Sequence, residues 1–456
     1  MQSIQTINPA TGEKIATYEL FSEEKALNTA KFARQAFEKW RKTPIGEREA
    51  LLKKLASVLR SKKSEYGKIM TMEMGKPISQ AEAEVEKSAW AAEYYSENAE
   101  KWLQEELVAT DAKKSYVSFE PLGAVLSIMP WNFPFWQALR FAIPAVVAGN
   151  TSILRHASVC PGSALAIEAA FKEAGFPDGV FSTVITDHSL VGKLIESDYI
   201  SGVSLTGSTE AGQRVGELAA KNFKKFVLEL GGSDPFIVLD DANLDRAAQV
   251  GANARLQNSG QSCICAKRFI VVKSIAKEFT EKFVKEFEKK RVGDPLEKST
   301  DVGPLVNAEA VASIDEQVKD ALSKGAEAEV GGAPHTPGFF YQPTVLDKVD
   351  KRMKVMYEEV FGPVAPIFVV DDDDQAIRTA NDSEFGLGSS LWTGSMERAV
   401  RLAKEIQSGM VFVNELTKSD PRMPFGGVKK SGIGRELSKY GLKEFVNVKS
   451  VSIYGI

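Results

Sequence analysis

The residue best placed to attack a carbonyl carbon is Cys263, which ends the run Asn258-Ser259-Gly260-Gln261-Ser262-Cys263. A thiolate is a strong nucleophile towards such carbon. A lone cysteine is more often a small buried hydrophobe, but a polar, glycine-containing approach suits a cleft better than a core. The segment 244–257 before it reads as a helix that Gly260 ends, so Cys263 falls on the irregular turn beyond. Cys265 lies two positions on, the wrong spacing for a C-x-x-C redox or zinc motif. Cys160 precedes the helix start Pro161-Gly162-Ser163 and reads as structural, and His156, His188 and His335 are scattered, so no metal site is expected.

Two further residues complement a cysteine nucleophile. Glu229 sits in Val227-Leu228-Glu229-Leu230-Gly231-Gly232, a carboxylate among apolar residues at a strand end. Such surroundings raise a carboxyl pKa towards neutrality, where it serves as a general base, although an exposed strand-end charge fits this segment equally well. Asn132 lies in Pro130-Trp131-Asn132-Phe133-Pro134, where an amide can donate to a developing oxyanion or simply occupy a turn. The stretch Gly207-Ser208-Thr209-Glu210-Ala211-Gly212 follows a strand and opens a helix, whose free N–H groups bind phosphate, but it lacks the G-x-G-x-x-G spacing.

The elements that must position these residues follow from periodicity. Residues 20–110 carry apolar rows at helical spacing, such as Ala26, Ala30, Ala33 and Phe37. From Gly123, short apolar runs at 124–129, 152–154, 180–185, 203–205 and 226–228 alternate with helical stretches at 163–174 and 210–221. A second alternating block has runs at 236–239, 269–272, 364–370, 389–392 and 411–413. Two such blocks predict an α/β protein with two doubly wound, Rossmann-like parallel-sheet domains and a cleft between them. Asn132 would then stand at the carboxyl end of the first strand, the edge where such sheets bind ligands. The acidic run 371–374 reads as a solvated loop capping a helix from Gln375.

Composition narrows the class. The 456 residues are 43% hydrophobic and 26% charged, with formal net charge −4 and both signs mixed, which excludes the basic footprint of a nucleic-acid binder. Three cysteines form no disulfide framework, so a reducing, cytoplasmic setting is expected. The most apolar stretch, 124–149, holds Pro130, Asn132, Pro134, Arg140 and Pro144, which would be costly in lipid, so no membrane span is expected.

Together these segments resemble the NAD(P)-dependent aldehyde dehydrogenase superfamily over essentially the whole chain. The resemblance rests on Pro130-Trp131-Asn132-Phe133-Pro134, Thr206-Gly207-Ser208-Thr209-Glu210, Glu229-Leu230-Gly231-Gly232, Gly260-Gln261-Ser262-Cys263, Glu359-Val360-Phe361-Gly362-Pro363 and Pro424-Phe425-Gly426-Gly427, six motifs in the family's order. The resemblance implies a cofactor domain at 1–102 and 122–228, a catalytic domain at 229–430, and oligomerisation segments at 103–121 and 431–456. It also implies a homodimer or homotetramer, and the alternation of Val446, Val448 and Val451 fits an edge strand awaiting a partner.

By resemblance Cys263, Glu229 and Asn132 are catalytic. Glu359 and Phe361 would hold the nicotinamide ribose and ring. Trp131, Arg155, Ser158, Gly207, Ser208 and Gly212 would line the adenosine and pyrophosphate sites. NADP is the expected cofactor, used at least as well as NAD: many NAD-preferring relatives carry a glutamate where this chain has Ser158, and Arg155 replaces their lysine. Within the family the chain most resembles succinate-semialdehyde dehydrogenases, through 129–134, 228–238 and 425–436. That implies a small-molecule aldehyde bearing a carboxylate. Arg140, two helical turns after Asn132, is the expected main anchor. Gln257 stands where an arginine is the better-known choice, and Ser419 and Arg422 are expected to help. Another small aldehyde such as glyceraldehyde or lactaldehyde is the alternative substrate. A non-catalytic homologue is the alternative class, disfavoured because cysteine, glutamate and asparagine are all present.

Overall fold

The computed structural model describes residues 2–455. Its first parallel sheet is built from Phe181–Thr183, Thr151–His156, Ala124–Met129, Ile200–Thr206 and Lys225–Glu229, in that spatial order. Every residue of Ala124–Met129 and of Thr151–His156 is buried. A strand covered by helices on both faces has no polar side to expose, which is why these runs read as continuous rather than alternating apolar sequence. The second sheet runs Glu327–Val330, Thr344–Asp347, Val364–Val370, Ala266–Val272, Asp234–Val238, Ser390–Trp392 and Phe412–Val413. Its first pair is antiparallel and the others parallel. The α/β, doubly wound expectation is met. The two strands at 327–330 and 344–347 were not foreseen, because they are short and carry Glu, Asp and Thr among their apolar residues.

Several boundaries move. The helix before Cys263 is Leu244–Leu256 and stops ahead of Gly260. The acidic run does cap a helix, but the cap is Asp372, whose side chain accepts from the Gln375 amide, and the helix is Asp373–Asn381. Residues 431–445, assigned by sequence to the oligomerisation segments, do not extend away from the first sheet. Gly432–Ile433 adds an antiparallel strand beside Lys225–Glu229, and Leu437, Leu442 and Phe445 pack in the first core with Leu139 and Val146. Only the final strand, Val446–Ile453, pairs with Lys114–Pro121, which also pairs with Glu106–Leu107. This three-stranded arm leaves Leu107 and Val448 exposed.

Candidate active site

Helix Pro134–Val147 follows Asn132, and all of its residues are buried. Its first turn has N–H groups with no partner inside the helix. Glu84 satisfies two of them, accepting from Phe135 and Trp136 at 2.9 Å each, while its other oxygen pairs with Lys76. The segment carrying Asn132 is thus held by a carboxylate from the long helix Ile78–Leu103.

The turn bearing Cys263 takes an unusual path. Asn258, Ser259 and Gly260 are successive left-handed residues, with φ of 52°, 55° and 78°. That conformation costs roughly 1–2 kcal/mol for a residue with a Cβ. Side chains offset the cost: Asn258 Nδ2 donates to the carbonyls of Asn132 at 2.8 Å and Gln261 at 3.0 Å, and Ser259 Oγ donates to Gly303 at 2.9 Å. At 260 only glycine fits, because a Cβ would lie 2.2 Å from the Gly362 carbonyl oxygen. Arg255, fully buried, ties the turn to its surroundings by donating to the carbonyls of Ala266, Gly260 and Val360.

Of the catalytic candidates, Asn132 is joined to the turn that bears Cys263, while Glu229 is not among the residues that line the Cys263 cavity. Asn132 Nδ2 donates to the Gln261 carbonyl at 3.0 Å, two residues before Cys263. An amide has two N–H donors, so one remains for a ligand. Glu229 ends the last parallel strand of the first sheet, 2% exposed, and among the described residues neither carboxylate oxygen has a hydrogen-bond partner. Burial, and then the neighbouring Glu436 carboxylate, push its pKa well up, while Arg140 opposes the shift. The Cys263 thiol is pushed up to about 12 by burial, against the pull of Lys267 and then Arg140. Lys267 was not foreseen. It is fully buried, donating to the Cys263 carbonyl at 2.7 Å and to Glu359 at 2.8 Å.

On the expected cofactor side, Trp131 and Phe361 meet edge to face across the cleft, ring centroids 5.8 Å apart. Glu359 accepts from the Gly232 amide at 3.2 Å, and a Cβ at 231 would sit 2.7 Å from its other oxygen. Ser208 caps helix Thr209–Lys221 by accepting from Ala211, and Gly207 N donates to the Glu229 carbonyl at 3.0 Å. At Gly212 a Cβ would lie 2.4 Å from Leu230 Cδ2, so helix–sheet packing by itself requires a glycine there. Ser158 is exposed just beyond strand Thr151–His156, whereas Arg155 is buried, donating to the Thr186 carbonyl at 3.2 Å with its Nε unpartnered.

A cavity of about 390 Å³ opens on Cys263, walled by Phe133, Trp136, Arg140, Gln257, Ser419 and Phe425 among others. Two expectations change here. Arg140 does reach the wall, but its charge is already engaged: it pairs with buried Glu436, lies 4.3 Å over the Phe425 ring and approaches Thr206 Oγ1 at 3.4 Å. Arg422 turns away, bonded to Asp420 at 2.6 and 2.9 Å and stacked over Trp90, outside the wall. Lys87 and Lys418 stand in the wall instead.

These motifs lie within a match to the aldehyde dehydrogenase family model that spans residues 1–451. The chain belongs to the aldehyde dehydrogenase family. It is 47% identical over 452 residues to a probable succinate-semialdehyde dehydrogenase, NADP(+), of Synechocystis sp., covering 99% of this chain and all of the relative. Succinate-semialdehyde dehydrogenase 1, NADP(+), of Mycobacterium tuberculosis is 43% identical over 454 residues, covering 99% of each. Among solved structures, succinic semialdehyde dehydrogenase from Streptococcus pyogenes in complex with NADP+ superposes with a TM-score of 0.97 at 38% identity, over 99% of this chain and all of that one. Family membership makes the chain an oxidoreductase acting on aldehydes, and its two Rossmann-like sheets are the family's fold. Among the described residues no helix is long and apolar enough to cross a membrane.

Proposed function

We propose that this enzyme oxidises succinate semialdehyde to succinate with NADP+, with NAD+ as a poorer substitute. The observation that carries the reading is a cavity with Cys263 in its wall and lysine and arginine side chains beside it. The full-length similarity to two NADP(+) succinate-semialdehyde dehydrogenases supports both substrate and cofactor. The residues present fit a dinucleotide phosphate. Arg155 has an unpartnered buried Nε, Ser158 is neutral beside it, and helix Thr209–Lys221 offers its N–H groups.

In the proposed mechanism Cys263 attacks the aldehyde carbon. The second N–H of Asn132 and the backbone N–H of Cys263 stabilise the oxyanion, each donor contributing about 3 kcal/mol in such sites. Collapse of the oxyanion expels hydride and leaves Cys263 carrying a thioester, and bound NADP+ would supply the hydride acceptor. Glu359 and Phe361 hold its ribose and ring, and Trp131, Gly207 and Ser208 line its remaining length. Glu229 then takes a proton from the water that hydrolyses the thioester. Gln257 and Ser419 offer hydrogen bonds to the substrate's far end. Copies associate through the arm strands as a dimer or tetramer, and the three free cysteines fit a cytoplasmic setting.

The test is an aldehyde panel read by absorbance of the reduced nicotinamide. Succinate semialdehyde should give the highest kcat/KM. A wild type that prefers butyraldehyde or glyceraldehyde removes the substrate assignment and leaves the family intact.

A further inference from the structure

Two lysines in the cavity wall, Lys87 and Lys290, have no carboxylate partner among the described residues, and Lys290 is taken up by the Asn253 side chain at 2.6 Å. Helix Ile78–Leu103 turns one face to the cavity, presenting Gln80, Ala83, Glu84 and Lys87 at i, i+3, i+4 and i+7 spacing. The Lys87 ammonium donates to Ser419 Oγ at 2.6 Å and lies 4.4 Å from the centre of the Trp136 ring. The other cations on this side are paired: Arg140 with Glu436, Arg422 with Asp420 and Lys418 with Glu415. Among the described residues no carboxylate stands within ion-pair distance of Lys87. An ammonium has three donors, and Ser419 takes one.

We propose that Lys87, steadied by Ser419, holds the carboxylate at the far end of the substrate and so sets the preference for a charged semialdehyde over an uncharged aldehyde of the same length. The inference rests on the carboxylate-bearing substrate proposed above and moves the anchor from Arg140 to Lys87. The physical reason is complementarity. A shielded cation without a partner gains most from an anion that brings its own charge, whereas the charge of Arg140 is already balanced by Glu436. The titration of Lys87 agrees. Burial, followed by the Arg140 charge, pushes the Lys87 ammonium down to about 7. A bound carboxylate would hold it protonated.

The experiment compares succinate semialdehyde with butyraldehyde at saturating NADP+, in wild type, Lys87→Met and Lys87→Arg. Lys87→Met keeps the stem and removes the charge. The ratio of kcat/KM for succinate semialdehyde to that for butyraldehyde should fall roughly 10- to 150-fold, the range of one charge-assisted contact, and mainly through KM. Lys87→Arg should recover part of the ratio. Equal losses on both substrates, or an unchanged ratio, overturn the role of Lys87. A wild type with no preference for succinate semialdehyde overturns the substrate reading itself, so the two failures are distinct.

A measurement on the wild type needs no folded variant. The groups facing Lys87 are Glu84 on its own helix, Arg140 on Pro134–Val147, and Lys418 and Asp420 on the loop after strand Phe412–Val413. Above pH 7 the free enzyme loses the Lys87 proton. KM for succinate semialdehyde should therefore climb by up to about tenfold per pH unit from 7 to 9, with no matching rise for butyraldehyde. Parallel pH profiles for the two substrates count against the proposal.

Discussion

Lys267 and Glu359 are ion-paired at 2.8 Å, with the lysine fully buried and its ammonium also bonded to the carbonyl of Cys263. One side chain therefore joins the nucleophile's turn to the carboxylate proposed to hold the cofactor ribose. Lys267 is also the foremost charge opposing the rise of the Cys263 pKa. Since burial pushes that thiol up to about 12, alkylation of the free enzyme by iodoacetamide should accelerate about tenfold per pH unit from 7 to 9. Lys267→Met should slow it several-fold at pH 8. A plateau near neutral pH, or an unchanged rate in the variant, would show that the thiolate is set by something else.

Cys263 and Cys265 should separate cleanly. Cys265 is buried, and its thiol lies 3.7 Å from the Gln257 carbonyl, whereas Cys263 lines the cavity. Cys263→Ala should abolish dehydrogenase turnover and keep NADP+ binding by fluorescence titration, while Cys265→Ala stays active. Substantial turnover by Cys263→Ala would sink the mechanism.

Glu229→Gln preserves size and removes the base. A burst of about one reduced cofactor per active site should be followed by a stall, with the acyl-enzyme visible by intact mass. The raised Glu229 pKa also means that steady-state turnover limited by hydrolysis increases from neutral to alkaline pH, as the carboxyl loses its proton. Unchanged turnover in the variant at neutral pH rules the role out.

Ser158→Glu tests the cofactor reading. A carboxylate beside Arg155 would repel a 2′-phosphate and accept a ribose hydroxyl, so the ratio of kcat/KM for NADP to NAD should fall by at least tenfold. A wild type already favouring NAD would overturn the expectation before the variant is made.

Arg140→Ala should injure both substrates alike. Removing the arginine leaves Glu436 buried without its partner and takes away the charge that opposes the rise in Glu229, and breaking such a pair costs about 3–5 kcal/mol. A lower Tm and comparable losses on succinate semialdehyde and butyraldehyde are expected. A loss confined to succinate semialdehyde would return the anchor to Arg140.

The sequence by itself determined the local backbone that carries the proposed catalytic residues. Cys263, Glu229 and Asn132 each sit in a short motif with glycine or proline neighbours, and those neighbours record what the backbone must do there. Gly260 reports a left-handed turn against the Gly362 carbonyl, and Gly231 a close approach of Glu359. The two sheets were legible for a similar reason, because strands buried on both faces read as unbroken apolar runs. Tertiary structure alone decided which charges meet. Helical spacing correctly turned Arg140 towards the cavity, but nothing near it in sequence announces Glu436, which takes its charge. Lys87 reads as one more surface lysine on a long helix until the fold brings Ser419, 332 residues away, within 2.6 Å. Nothing near Gly212 in sequence announces that Leu230 packs against it. Backbone constraint acts over a few residues and leaves its mark in sequence. Charge pairing and close packing depend on distances in space, which only the folded chain sets.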